Sequence, residues 1–330
     1  MNYTSNPDLK TILPPEKWKG TPINDQKRFV NHEHPFSPSF LKVLQWKLKT
    51  PPQKHEKKSD SYRLTVHHSD SFLKSNEDCI VWLGHASFFI RLNGITLLTD
   101  PVYFNMAFLK RFAEMPVNPS EITGIDYILI SHDHYDHTDV KSLKLLSKNN
   151  PKAEVITGLN MEKMLRKLMT NPIQMAGWNQ QYKTDESKLK LYFLPARHWA
   201  RRSAFDTNKR LWGAFVIESS GKKIYFSGDT GYGNHFKEAS EIFPEIDYFI
   251  CGTGAYSPKW FMEPIHISPE DAVKAANDMK AKNLIPMHYA TFDLSDEPFG
   301  EPVRILQNEE KAGRLNGKLK IMDVGEILSI

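Results

Sequence analysis

The pattern of hydrophobic and polar positions changes character near residue 79. Before it, the chain is polar, proline-rich and weakly periodic, and includes the charged run KTPPQKHEKKSD. Such sequence predicts an extended arm rather than a packed unit. One island interrupts it. In FLKVLQWKLK, residues 40–49, the apolar Phe40, Leu41, Val43, Leu44, Trp46 and Leu48 can share one side of a short helix, with lysines between them. From Cys79 onward, short apolar runs dominate. CIVWLG, SFFIRL and ITLLTD predict three strands, and Asn93-Gly94 predicts a tight hairpin between the last two. DYILISH, at 126–132, predicts another buried strand, and DVKSLKLLSKNN a helix with Asp139 near its start. AEVIT, KLKLYFLP, LWGAFVIES, KKIYFSGD and DYFICGTG continue the strands. SPEDAVKAANDMKAKN predicts a helix capped by Ser268, with Pro269 in its first turn and Ala272, Val273 and Ala276 on one face. NLIPMHY is a strand leaving it. Helices come late and intermittently. The order therefore suggests two sheets covered by helices, not the strict alternation of a doubly wound sheet or a barrel. The expected division is an extension over residues 1–78, partly extended and packed on or flanking the core, and one α/β domain over 79–330.

Composition narrows the class. With 330 residues, 40% hydrophobic and 25% charged, the chain can bury a substantial core. No run approaches the roughly 18 apolar residues of a membrane span, and no apolar run at the start suggests a secretory signal. Cys79 and Cys251 are too few for a disulfide framework or a four-cysteine metal site, which points to a reducing, cytoplasmic setting. The net charge of +4 lies entirely in the first 78 residues. It is too small, and too free of basic-aromatic stripes, to suggest a nucleic-acid partner. The basic 40–49 segment has two readings. It packs on its own domain with its lysines in water, or it makes a peripheral contact with the inner face of an anionic membrane.

The histidines carry the chemistry. SHDHYDHTD, at 131–139, lies between a predicted strand and a predicted helix, so it is a loop at a strand end. His132, His134, Asp136 and His137 crowd into six positions. Crowded imidazoles and a carboxylate have little packing value without a cation, and both are common metal ligands. Three later runs also end in one potential ligand each: FLPARHW at His198, YFSGDTGY at Asp229 and NLIPMHY at His288. Gly228 and Gly231 give the backbone near Asp229 room for a close approach. Seven nitrogen and oxygen ligands, one of them shared, suit two metals better than one.

HDHYDH resembles the HxHxDH signature of the metallo-β-lactamase superfamily. WLGHASFFIRLNGITLLTDPVY, RHWARRSAFDTNKRLWGAFVIE, FSGDTGY, GAYSPKWFMEPIHISPEDAV and MHYATFDL are similar to its branch containing N-acylphosphatidylethanolamine-hydrolysing phospholipase D. The resemblance runs from about residue 79 to about 305. It implies an αββα four-layer sandwich with a two-metal site at one edge between the sheets. By carry-over, His132, His134 and His198 hold one metal, Asp136, His137 and His288 the other, and Asp229 bridges them. His266 matches a histidine beside the metals that contacts substrate phosphate or donates a proton. His85, in the GHAS turn, reads as a supporting residue and His235 as a surface residue. The cofactors implied are two divalent ions, zinc first, with manganese or iron as alternatives.

The activity implied is a phospholipase D-type attack on a phosphodiester by a metal-activated hydroxide, with Asp136 accepting the water proton. The substrate would be N-acylphosphatidylethanolamine or a related lipid phosphodiester. The alternative is a lactonase or other ester hydrolase acting on a soluble substrate, because fold does not fix function. PVYFNMAFLKRFAEM, residues 101–115, is unusually apolar for a connection. Phe104, Met106, Phe108, Leu109, Phe112 and Met115 within it line an acyl-chain groove, touch a bilayer or belong to a packed lid. The chain is compatible with an oligomer as well as a monomer.

Overall fold

The computed structural model describes residues 2–33, 36, 40–106 and 109–330. Its two large sheets have the same plan. In one, Ile327–Ser329, Cys79–Trp82, Phe88–Leu92 and Ile95–Thr99 are antiparallel neighbours. Tyr127–Ile130, Glu154–Gly158 and Ile173–Ala176 then extend it in parallel. In the other, Lys10–Thr11, Gln180–Gln181, Lys190–Leu194, Ala214–Ser219 and Lys222–Phe226 run antiparallel. Tyr248–Gly252, Asn283–Met287 and Lys318–Leu319 follow in parallel. The expected hairpin forms at Asn93-Gly94, where both residues take positive φ, 50° and 75°.

Period-two alternation explains the layers. Ile80, Trp82, Phe88 and Ile90 point between the sheets, where they meet Phe193, Phe215, Phe226 and Ile285 in one core. Their neighbours Val81 and Phe89 point outward to Leu143 and Leu146 of the helix Val140–Asn149. On the far side, Val216, Tyr225 and Phe249 meet Phe236 and the expected Ala272, Val273 and Ala276 face of the helix Pro269–Asp278. Helices thus cover both outer faces, and the fold is the αββα sandwich. These two helices start as their sequences suggest. Asp139 accepts from the Ser142 amide and Ser268 from the Asp271 amide, each satisfying an otherwise unpaired N–H.

The first 78 residues cling to this frame. Lys10–Thr11 forms an edge of the second sheet. Asn31 is buried and pairs with both backbone groups of His198, at 2.9 and 3.0 Å. Phe40–Leu48 is helical; its Trp46 packs on Phe261 and donates to Asp296 at 2.8 Å. Leu41, Leu44 and Leu48 of this helix are exposed, while the side chain of Phe40 lies outside the described residues. Among the described residues, no helix is long and apolar enough to cross a membrane.

The 101–115 connection is a packed segment where it is described. Val102 and Tyr103 are buried, and Phe104 and Met115 pack on the outer core of the first sheet. Arg111 ties the segment down by donating to the Val102 and Leu83 carbonyls. Phe104 therefore faces the outer helical layer; Phe108 lies outside the described residues.

Candidate metal centre

Strand ends from both sheets converge at one edge of the sandwich. Tyr127–Ile130 feeds the loop of His132, His134, Asp136 and His137; Lys190–Leu194 leads to His198, Lys222–Phe226 to Asp229, and Asn283–Met287 to His288. Close backbone approach makes this convergence possible. Gly228 has φ +56°, and a Cβ there would lie 2.8 Å from Ser131 Cβ; at Gly231 it would lie 2.6 Å from the Pro264 carbonyl oxygen. Room at these two glycines, expected from the sequence, is a structural requirement.

All eight sequence-predicted site residues come together. His132 Nε2 and His198 Nε2 lie 2.9 and 3.1 Å from His134 Nδ1. His137 Nε2 and His288 Nε2 are 3.3 Å apart, and Asp136 Oδ2 is 3.7 and 3.4 Å from them. Asp229 stands between the two groups. Its Oδ2 is 3.9 Å from His132 Nε2, 3.8 Å from His198 Nε2 and 3.2 Å from His137 Nε2, while Oδ1 is 3.2 Å from His288 Nε2. His266 Nδ1 is 3.7 Å from Asp229 Oδ2. Asp136 and His266 keep partial access to solvent, at 18% and 14%, whereas Asp229 retains 2%.

The imidazoles are aimed by their outer nitrogens. His132 Nδ1 meets Ser131 Oγ at 2.9 Å, His198 Nδ1 meets the Ile265 carbonyl at 2.8 Å, and His137 Nδ1 meets Asp100 at 2.7 Å. Each pairing leaves Nε2 facing inward, the orientation metal-binding histidines need. His134 inverts this, with Nδ1 inward. The geometry fits a coordination site: nitrogens 2.9–3.3 Å apart approach the edge of a tetrahedron with bonds of about 2.0–2.1 Å, about 3.3 Å.

Electrostatics agrees with the donor set. Burial, followed by the neighbouring imidazoles, holds His132 well below its ordinary pKa, and burial does the same at His198, so both imidazoles are neutral, the form a metal would need. Burial opposes ionisation of Asp136 and Asp229. The surrounding histidines, His137 foremost, outweigh it and hold both carboxyls well below the usual range. Burial pulls His266 down to about 4, which keeps it neutral at physiological pH.

Three residues here go beyond the sequence reading. Asp100 is fully buried under His137 and also accepts from the Ser131 hydroxyl at 2.6 Å and its amide at 2.7 Å. Asn31 fixes the backbone of His198 from 167 residues away. Trp199 packs edge-on against His134, with ring centroids 4.7 Å apart. His85 supports the site closely: its Nε2 lies 3.2 Å from Asp136 Oδ2 and its ring 4.0 Å from that of His288. The reading of His235 as a surface residue is corrected. It is 5% exposed, opens the helix His235–Ile242, and places Nε2 3.1 Å from Thr230 Oγ1. It braces the turn that follows Asp229, a contact hidden in a segment whose composition reads as a solvated helix.

The sequence matches the beta-lactamase superfamily domain over residues 96–289. The chain belongs to the metallo-β-lactamase superfamily and is a metal-dependent hydrolase of it, in the branch that resembles N-acylphosphatidylethanolamine-hydrolysing phospholipase D. It is 30% identical over 264 residues to N-acyl-phosphatidylethanolamine-hydrolyzing phospholipase D 1 of Caenorhabditis elegans, covering 75% of this chain and 74% of that protein. It is 32% identical over 255 residues to the mitochondrial N-acyl-phosphatidylethanolamine-hydrolyzing phospholipase D of Saccharomyces cerevisiae, covering 74% of this chain. The aligned part is 54% of the yeast protein, so the chain spans about half of that relative's length. The metallo hydrolase Igni18 of Ignicoccus hospitalis shares the fold, with a TM-score of 0.57 at 21% identity over 76% of this chain and 97% of that one.

Proposed function

We propose that this protein is a phospholipase D-type hydrolase of N-acylphosphatidylethanolamine or a related lipid phosphodiester, loaded with two divalent ions, zinc before manganese or iron. The observation that carries the reading is the pair of histidine-rich groups on either side of Asp229, in a chain similar over three-quarters of its length to hydrolases named for that substrate. His132, His134 and His198 would hold one ion, Asp136, His137 and His288 the other, with Asp229 shared. When bound, such a pair makes water nucleophilic at neutral pH and neutralises charge on phosphoryl oxygens.

The chain's own groups do the rest. Asp136 is anionic and reaches solvent at the mouth, so its carboxylate accepts the proton of the attacking water. His266, neutral and also at the mouth, donates a hydrogen bond to a phosphoryl or leaving oxygen. Water attacks phosphorus, the bond to the ethanolamine oxygen breaks, and that oxygen takes up the proton that Asp136 received from the water, giving phosphatidic acid and an N-acylethanolamine.

The helix Phe40–Leu48 suits a substrate held in a bilayer. Leu41 and Leu48 are 74% and 77% exposed, and Leu44 is exposed beside them. Trp46 joins this helix to Phe261, whose neighbour Trp260 is also exposed, five residues before Ile265, the residue whose carbonyl holds His198. The segment carries lysines and no acid. An exposed apolar face on a segment with lysines and no acid matches an anionic phospholipid face.

The test is metal-replete protein with vesicles of N-acylphosphatidylethanolamine, a chain-free chromogenic diester and a lactone. Release of N-acylethanolamine supports the reading. Lactone hydrolysis without diester cleavage overturns it in favour of the soluble-ester alternative.

A further inference from the structure

A groove lined by none of the histidines around Asp229 opens beside Arg202 and Arg210, which grip Asp133 in the loop that carries His132 and His134. Its volume is about 760 Å³, within the range of small-ligand sites. Four separate segments supply its walls, and three of them bring six cations together: Lys27, Lys163, Lys167, Arg202, Lys209 and Arg210. Only two carboxylates, Glu162 and Asp206, line it with them. The lining therefore carries an excess of four positive charges.

Those two carboxylates are already engaged. Glu162 pairs with Arg166 at 3.2 Å, and Asp206 with Arg210, which also grips the buried Asp133 at 2.5 Å. Arg202 donates to the carbonyls of Asp133 and Thr138, both at 2.9 Å, lies over the Tyr135 ring at 4.0 Å, and has no ion pair among the described residues. Lys27, Lys163, Lys167 and Lys209 have no ion pair among the described residues. Lysines scattered on a convex surface are ordinary solvated charges. Cations gathered from distant parts of the chain into one concavity repel each other, and walls of low dielectric focus their field. An anion removes that repulsion, and ammonium and guanidinium groups together are the usual phosphate-binding set.

We propose that this groove is a second binding site, separate from the metal centre, for a phosphate-bearing polyanion. A soluble phosphate ester and the headgroup of an anionic lipid share that chemistry. The proposal does not rest on the identity of the hydrolysed substrate.

Inorganic pyrophosphate, titrated into the metal-loaded full chain and followed by amide NMR shifts, tests it. The expected result is saturable binding at low salt, with shifts concentrated at residues 160–167 and 202–210. Affinity should fall at least about tenfold in a Lys163→Glu, Lys167→Glu double variant and weaken steeply with added salt. Hydrolysis of a chain-free diester should be unchanged in that variant, which shows that it is folded. Shifts confined to residues 132–137 and 229 would mean that pyrophosphate binds only the metals, and would overturn the proposal, as would equal affinity in the double variant. Displacement of pyrophosphate by vesicles containing phosphatidic acid, but not by phosphatidylcholine alone, assigns the site to a lipid headgroup. Lack of displacement assigns it to a soluble ester; both support the shared chemistry.

Discussion

Asp100 and His137 meet at 2.7 Å, carboxylate oxygen to Nδ1, with neither side chain exposed to solvent. A carboxylate behind an imidazole fixes the tautomer, turns Nε2 toward His288 and Asp229, and would raise its basicity toward a metal. Asp100→Asn keeps the size and removes the charge. It should weaken metal retention about 10- to 100-fold, read by competition with a chelator. Unchanged retention would show that His137 needs no such support.

Asp229→Asn should act on both metals together. Its two oxygens reach both histidine groups, so elemental analysis should show loss of more than one ion per chain, and turnover should fall by about 100-fold or more. The matched control is His68→Gln, an exposed histidine whose ring faces Glu114 and not Asp229. His235 cannot serve as that control, because it braces the adjoining turn. Similar losses in both variants would mean that general unfolding is being measured.

The strands and the metal loop were legible because each leaves a local trace. Period-two runs such as ITLLT and YILI need no partner to be recognised, and four ligand-type residues in six positions have no ordinary packing use. Asp100 left no such trace: an acid after LLT and before a proline looks like any turn residue, and its role depends on His137, 37 positions away. Asn31 is harder still, since its partners lie across the sandwich. Phe104 is a case where the sequence left a ligand groove and a packed lid both open, and only the structure shows its hydrophobicity taken up by the outer core.

Asp206 predicts a stability change in acid. Burial works against ionisation, but hydrogen bonds from Arg210 and the Ser203 and Arg202 amides bring its pKa down from 3.8 to about 2. A group depressed in the folded state contributes stability above its unfolded pKa and loses it as pH falls through the folded value. Wild type should therefore exceed Asp206→Asn by about 1 kcal/mol at pH 7, allowing for solvent screening. The gap should close between pH 4 and pH 2, as read from denaturant melts. A gap that stays constant across this window would show that the Asp206 charge does not matter.

The exposed face of the 40–48 helix separates lipid access from chemistry. Full burial of a leucine is worth about 1.5–3 kcal/mol, and partial insertion into a headgroup region about 1. Leu41→Ser with Leu48→Ser should then weaken binding to anionic vesicles about 30-fold and raise KM for a vesicle substrate with little change in kcat. A chain-free diester should be cleaved as by wild type, because neither leucine is among the residues gathered around Asp229 and both side chains point into water. Adding salt should weaken wild-type binding as well, since lysines flank the leucines. Equal damage to vesicle and soluble substrates would mean that the helix serves to hold Phe261 and its loop through Trp46. Unaltered vesicle binding would place the membrane contact elsewhere on the molecule.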